Sequence, residues 1–597
     1  MPSSHKKTLL CLCGVAAFIF LLFLPCLKAD FVNWDDDVHL LENPFVPSLS
    51  PEGLKDIFTT TVNQTYIPLT TLSFALEYLF FQDSPFIYHF NNLLLHIAIS
   101  LLVFVFARGL GLNRRAGLAA ALVFGIHPMH VESVAWVSER KDVLYGFFYM
   151  LAMIFYLAHI QSRSRAYKDA YVDPLDADQI KNFNPQRINK WYFTLTLAAG
   201  FLSVLAKPMA VSLPLTLLAC DWLQQRRIGW AALAEKIVVG LSVIPIALIT
   251  YQFQARPFDF QWPQSVLTWV WSFVFYLQKF IYPDYYVLIY KLPQPVGFGN
   301  PAYLSAVAVF VLLLVLVVVF RRSRLFVFAL MLYVASVFFL LRWDTVADTN
   351  VVADRFMYLP SLGICLFAGY VFDQFMVKWR PRKSRLPVLW AAAAVVIGIL
   401  AVQTFRQVAV WHSGVRLWKH QLRYQPQAAT ALSYNKLAEA TIRSADFRQQ
   451  LERIRRKRAT PEDRASAHAV LTLLEQALRI KADYGNAYFN RALLWQHLGE
   501  DQKALNDLAV VNRIDPQQFD AYVTAGNIYL RQGRLDDAAV ALDRALGLSP
   551  ENAKLYSRIL ALYQECAQQG PDAGFCRDQF GKLQQRMTAL GLKKNTR

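Results

Sequence analysis

The chain has 597 residues, of which 55% are hydrophobic and only 17% charged, with a formal net charge of +18. That much apolar sequence exceeds what one water-soluble core can bury, which excludes a soluble globular enzyme and predicts a polytopic membrane protein. The positive charge is concentrated in short hinges between apolar runs, the pattern of cytoplasmic loops, so nucleic acid is not an expected partner.

The first apolar run, 8–29, follows His5, Lys6 and Lys7 and reads as a retained membrane helix rather than a cleaved signal peptide. Next comes FVNWDDDVHLLENP, residues 31–44, with Asp35, Asp36 and Asp37 in succession. Adjacent carboxylates raise each other's pKa, so one can serve as a base near neutral pH; divalent-cation ligation and a solvated loop are the alternatives. Further apolar runs at 87–107, 115–128, 142–160, 191–206, 209–223, 234–253, 302–320, 325–342, 359–377 and 386–405 bring the expected total to about eleven spans. The stretch 265–283 carries Gln278, Lys279 and Pro283-Asp284 and is read as re-entrant or interfacial. Arg114-Arg115, Arg163 with Arg165, Arg226-Arg227, Arg321-Arg322 with Arg324, and the basic run 378–385 then share the cytoplasmic side. With a cytoplasmic N-terminus, the outer face receives loops 30–86, 254–301 and 343–358, the turns after His127 and at Lys207, and everything beyond the last span.

Three further motifs fall on that face. HPMHVESVAWVSERKDV, residues 127–143, holds His127, His130, Glu132, Arg140, Lys141 and Asp142. Pro128 breaks helical spacing between the histidines, so no zinc site is expected. Arg140 and Lys141 suit a phosphate at the start of the following helix. In LAKPMAVSLP, residues 205–214, Lys207 is a lone cation between short apolar helices and needs an anion, which a lipid phosphate supplies. In VVADRFMYLPSLG, residues 351–363, Asp354 and Arg355 precede a span beginning near Tyr358. An acidic motif with several cations around one outward cavity suits attack on a lipid-phosphate-linked group. P-loop, dinucleotide-binding glycine, G-x-S-x-G and paired C-x-x-C patterns do not occur.

A membrane domain over 1–405, a connector over 406–427 and a polar domain over 428–597 are expected. In the last, Tyr488, Tyr522 and Tyr556 recur 34 residues apart, as do Gly499 and Gly533, Ala504 and Ala538, and Pro516 and Pro550. This is the period and residue pattern of tetratricopeptide repeats, helix pairs that stack into an α-solenoid and present a concave surface to a partner, or act as a spacer. Residues 443–466 read as a charged insertion or helix. Cys566 and Cys576 can pair only if this domain faces an oxidising compartment.

The four motifs followed by tetratricopeptide repeats resemble the transmembrane and tetratricopeptide-repeat O-mannosyltransferases and their bacterial relatives, of the GT-C superfamily of membrane glycosyltransferases. The resemblance implies an all-α, GT-C-type membrane domain, a polyprenyl-phosphate sugar donor, and inverting transfer to a Ser or Thr hydroxyl outside the cytoplasm. By position, Asp35 and Asp36 are the acidic motif with one of them the base. His127, His130 and Glu132 match the second motif, Arg140 and Asp142 its continuation, and Arg355 the later cation. Lys141 and Lys207 join Arg140 and Arg355 around the donor phosphate, with Tyr358 in support. Pro208 follows Lys207 where eukaryotic members often have an acidic residue; this matches bacterial relatives better and weakens mannose as the inferred sugar. A bacterial inner-membrane enzyme with its site and repeats in the periplasm is the resulting expectation, with an exported, pilin-like protein as one acceptor. A divalent cation stays open as a cofactor. The rivals are a non-enzymatic membrane scaffold for envelope or export assembly, and an enzyme that glycosylates lipid or polysaccharide.

Overall fold

The computed structural model describes residues 2–47, 49–169, 185–254, 260–341, 343, 351–381, 385–425, 430–550, 552–569 and 573–590. Residues 426–429 of the expected connector, parts of loops 254–301 and 343–358, residues 382–384 of the last basic hinge and the side chains of Arg163 and Arg165 lie outside that set. Among the described residues the architecture is all-α, with no strand. The chain divides into two compact units, Met1–His420 and Gln421–Arg597.

In the first unit, six helices are long and apolar enough to cross a membrane: Lys6–Lys28, Pro85–Gly109, Val137–Ser162, Trp230–Phe253, Pro301–Val319 and Leu386–Val410. Arg114–Ile126 and Pro128–Ala135 make a seventh candidate, bent by 54° where Pro128 cannot continue the hydrogen-bond ladder. Lys190–Ala206, Pro208–Leu223 and Arg324–Leu340 are apolar but shorter, at 10–17 residues. At 1.5 Å per residue even 17 residues reach about 26 Å, less than the ~30 Å of a bilayer core. Length and apolarity together therefore count six or seven spans, against the eleven read from the sequence.

Contacts sort the helix termini into two ends. At one, Asp30 N–H donates to the His412 carbonyl (3.0 Å), Thr70 to the Ala206 carbonyl (3.0 Å) and Tyr66 N–H to Thr250 Oγ1 (3.1 Å). At the other, Arg114 reaches Thr8 (3.4 Å), Asn113 bonds Asp373, Gln161 bonds the Gly109 carbonyl (2.7 Å), and Arg324 bonds the Trp222 carbonyl. Arg226 pairs there with Glu235 at 2.6 Å. The basic residues Arg114, Arg226 and Arg324 thus gather at one end, and the motif loops at the other. Helix Gln264–Ile281 lies between a helix arriving at the motif end and one leaving it, since Tyr303 donates to the Pro293 carbonyl (2.9 Å). Its apolar side is buried, and the chain beyond it returns toward the motifs with Tyr286 and Tyr290 inside.

The first unit runs past the expected boundary at 405 to His420, because residues 414–420 pack into it. Trp418 is fully buried, donates its indole N–H to Asn33 Oδ1 (3.1 Å) and meets the Trp34 ring edge-on.

The second unit begins with Ala431–Arg443, Ala445–Arg455 and Pro461–Ile480. Three helix pairs follow: Gly485–His497 with Asp501–Ile514, Phe519–Arg531 with Leu535–Leu548, and Ala553–Gln569 with Ala573–Ala589. Gly499 (φ 78°) and Gly533 (φ 72°) make the left-handed turns inside the first two pairs, which is why glycine recurs there. Ala504 and Ala538 are buried where the paired helices meet. The charged segment near 443–466 is folded: Thr460 and Asp463 form a capping box, and Arg453 bonds both oxygens of Asp463 (2.9 and 2.5 Å). A disulfide joins Cys566 to Cys576 across the last pair.

Candidate active site

The first loop turns directly after the membrane-length helix, and Asp36 anchors it. One Asp36 oxygen accepts the Val32 N–H (2.9 Å) and the other the Ser138 N–H (2.8 Å), tying the acidic motif to the 127–142 motif. Asp36 is 1% exposed, and burial outweighs those two N–H bonds to push its carboxyl up to about 7. Asp35 is half-buried with solvent access and lies within electrostatic range of Lys141. The adjacent aspartates therefore differ in kind: one is buried and fixed by backbone donors, and the other reaches solvent. His39, one turn on, is buried and held neutral, its pKa lowered to about 3 by desolvation and by Lys141.

A network of acids and cations fills the space beneath. Arg355 Nη1 meets Glu132 Oε1 at 2.5 Å and the Arg355 N–H donates to Glu132 Oε2 at 3.0 Å. Lys207 bonds Asp142, and Ser133 donates to the second Asp142 oxygen (3.0 Å). Glu139 joins the three cations, lying 3.2 Å from Lys141, 3.3 Å from Lys207 and 3.3 Å from Arg355. Trp136 forms one wall, with Arg355 5.4 Å and Lys141 6.0 Å from its ring centre, and stacks on Trp411. Among the described residues, Arg355 Nη2 and the remaining hydrogens of the Lys141 and Lys207 ammonium groups have no protein acceptor. Three donors thus stay available to an incoming anion. Behind Glu132, Asp354 accepts from the Tyr290 hydroxyl at both oxygens (2.9 and 3.0 Å); burial and the neighbouring Glu132 raise its pKa well above the carboxylate range.

The other expected residues sit deeper. All five guanidinium hydrogens of Arg140 are committed within the protein: Nε to Asn92, Nη1 to Glu77 (2.5 Å) and Ser73 (3.5 Å), Nη2 to Glu77 (3.2 Å) and the Tyr88 carbonyl (2.9 Å). Its side chain is 2% exposed, so no donor edge is left for a phosphate. His127 Nε2 bonds the Phe280 carbonyl (2.9 Å) while its ring stacks on Phe280 at 3.7 Å. His130 bonds the Phe124 carbonyl (2.7 Å) and Ser361 (2.9 Å), and Tyr358 bonds His96 (2.8 Å). These three pin helices together beneath the site. Among the described residues, no group of three or more His, Cys, Asp or Glu is arranged to hold a metal ion.

Sequence reasoning passed over Glu139, Glu77 and Tyr290. Glu139 lies in the quoted motif between Trp136 and Arg140, and the need to pair Lys141 and Lys207 was the signal for it. Glu77 and Tyr290 lie in stretches without a motif, and only the fold brings them in.

No protein-family profile matches the chain. It is similar to the Protein O-mannosyl-transferase Tmtc1 of Drosophila melanogaster, 37% identical over 168 residues, 27% of this chain and 19% of that protein. It is 22% identical to the Protein O-mannosyl-transferase F38B6.6 of Caenorhabditis elegans over 448 residues, 69% of this chain and 57% of that protein. It is 27% identical to the Protein O-mannosyl-transferase TMTC1 of Homo sapiens over 225 residues, 35% of this chain and 24% of that protein. The chain spans less than two thirds of the length of each, and all three relatives are eukaryotic. Over the matched stretches the chain is thus similar to proteins named as O-mannosyl-transferases of the TMTC type.

Proposed function

We propose that the protein is a GT-C-type membrane glycosyltransferase that moves a sugar from a polyprenyl-phosphate donor to a Ser or Thr hydroxyl of an extracytoplasmic protein. The observation that carries this reading is solvent-reached Asp35 within electrostatic range of Lys141, which shares Glu139 with Lys207 and Arg355, each of the three cations keeping a donor without a protein acceptor among the described residues. Asp35 takes the proton of the acceptor hydroxyl as its oxygen bonds the anomeric carbon. The carbon–oxygen bond to the donor phosphate breaks with inversion, and the phosphate leaves with the electron pair, stabilised by the three cations. Asp36 and Glu139 position these groups; Arg140, His127, His130 and Tyr358 support them from below.

An eleven-span topology is the proposed membrane arrangement. In its favour, the short helices connect the same two ends as the long ones, and Arg114, Arg226 and Arg324 collect opposite the motifs. This puts the motif end and the second unit outside the cytoplasm, in the periplasm of a bacterial inner membrane, where the Cys566–Cys576 disulfide is stable. The second unit is read as a tetratricopeptide solenoid that presents the acceptor.

Purified protein in lipid nanodiscs, offered a panel of polyprenyl-phosphate sugars and Ser/Thr peptides, tests the reading. The relatives' names make mannosyl the first donor to try. Transfer that is lost in D35N supports the proposal. Equal transfer by wild type and D35N refutes the chemistry, and absence of transfer across the panel, with envelope assembly failing on deletion of the second unit, favours a scaffold.

A further inference from the structure

The charged segment LERIRRKR, residues 451–458, has no part in the membrane-end chemistry. Its helix, Ala445–Arg455, ends beside a polar cleft of about 590 Å³ within the second unit. The cleft crosses the first helices of the successive pairs, with Gln496 and His497 from one, Asn527 and Arg531 from the next, and Arg455 and Lys457 along its rim. Two of the segment's cations are used internally: Arg453 pairs with Asp463 and Arg456 with Glu452. Arg455 and Lys457 have no ion-pair partner among the described residues and are exposed. Lys457 takes a left-handed backbone (φ 58°) that ends the helix there. Two acids face the same space: Asp501, paired with Arg531 at 2.7 Å, and Glu565. The His497 pKa is lowered by burial, then by Arg455 and Arg531, so both arginines project their field into the cleft. The Gln496 amide nitrogen is buried without an acceptor among the described residues.

We propose that this cleft docks an acidic, extended segment of the acceptor polypeptide, with Arg455 and Lys457 taking its carboxylates and Gln496 and Asn527 its backbone. This rests on the reading that the second unit presents a protein acceptor, and it adds the chemistry by which that acceptor is chosen. Charge complementarity favours an acidic segment, because Arg531 neutralises Asp501, which leaves the two cations Arg455 and Lys457 at the rim against the single acid Glu565.

The test measures binding and not transfer, so the proposal can fail while the enzymatic reading stands, and the reverse. Full-length protein in nanodiscs is titrated against a fluorescein-labelled peptide of alternating Asp and Ser and against its Lys-Ser counterpart. The acidic peptide is expected to bind, to weaken with added salt, and to lose on the order of tenfold in affinity in R455E/K457E. R455Q/K457Q should lie between, and R544E, an exposed arginine elsewhere in the unit, should match wild type. Equal binding of the Lys-Ser peptide, unchanged affinity in R455E/K457E, or displacement of the peptide by phosphatidylglycerol vesicles overturns the proposal. Should the double variant lose its native thermal transition, a photo-crosslinking acidic peptide on the unsubstituted chain decides. Adducts in the cleft residues support the site, and adducts elsewhere refute it.

Discussion

Separating Asp35 from Asp36 is the most informative perturbation, because the two adjacent aspartates do different work. Asp36 is an anchor: replacing it with Ala orphans the buried N–H groups of Val32 and Ser138. Each such group costs about 1–3 kcal/mol, so D36A should destabilise the first unit by about 2–6 kcal/mol. Transfer should fall together with the thermal transition and the yield. Asp35 accepts no such pair of backbone bonds and reaches solvent, so D35N should leave the transition unchanged. It should instead lower kcat by about 10²–10⁴-fold, the range for loss of a general base, or about 3–5 kcal/mol of barrier. The assay is single-turnover transfer from a polyprenyl-phosphate sugar in nanodiscs, read beside differential scanning fluorimetry of the same preparations. If D35N transfers at the wild-type rate, or if D36A loses transfer with an unchanged melting curve, the division of roles is wrong.

Other outcomes follow from the same contacts. E77Q should destabilise the protein by about 3–5 kcal/mol by leaving buried Arg140 unpaired, whereas the E77L/R140M pair should recover much of that; thermal unfolding compares them. R355A should raise KM for the lipid donor more than it lowers stability, and R355K should restore part of the affinity, measured by donor titration. In pH, the Asp36 carboxyl is raised in the folded state to about 7 from an unfolded 3.8. The folded protein therefore holds the extra proton between those values. Its contribution is fully present below 3.8 and is lost as pH rises through about 7. Melting temperature should fall across that window in wild type, and D36N should flatten the slope. Reduction of Cys566–Cys576, ten residues apart, should lower the stability of the second unit by about 2–3 kcal/mol in the chain-entropy account. Thiol labelling of unfolded, unreduced protein should then find those two cysteines protected.

The sequence shows most clearly what depends on local pattern. The 34-residue period placed Gly499 and Gly533 at turns because only a left-handed backbone closes those helix pairs, and the fold has it so. The motif loops converge because apolar runs of helical length force the chain to alternate ends. What stayed hidden depends on which side a side chain takes. Arg140 and Lys141 are neighbours in sequence, yet at about 100° per residue on a helix they point apart. Arg140 goes inward to Glu77, a partner 63 residues away, and Lys141 goes to the site. The span count differed for a related reason: hydropathy windows reward length, and helices such as Lys190–Ala206 and Pro208–Leu223 are short.

The site's ionic balance bears on how a donor binds. Lys141, Lys207 and Arg355 are all held by Glu132, Glu139 and Asp142, so the bank of cations is neutralised before any ligand arrives. Burying three bare cations would cost more than a fold of marginal stability can sustain. The carboxylates make the arrangement affordable, and they also set the cations' positions in advance, which lowers the reorganisation needed when charge develops on a leaving phosphate. Glu139 touches all three, so an entering phosphate must share the cations with it. Donor affinity should therefore respond to Glu139 in a way that Glu132, whose carboxylate meets only Arg355 of these cations among the described residues, does not match. E139Q should tighten donor binding, because the amide competes less for the ammonium groups, while lowering thermal stability and kcat as Lys141 and Lys207 lose their fixed positions. Measured donor Kd against melting temperature across E139Q and E132Q gives the comparison. Weaker donor binding in E139Q would mean that Glu139 orients the cations without competing for them.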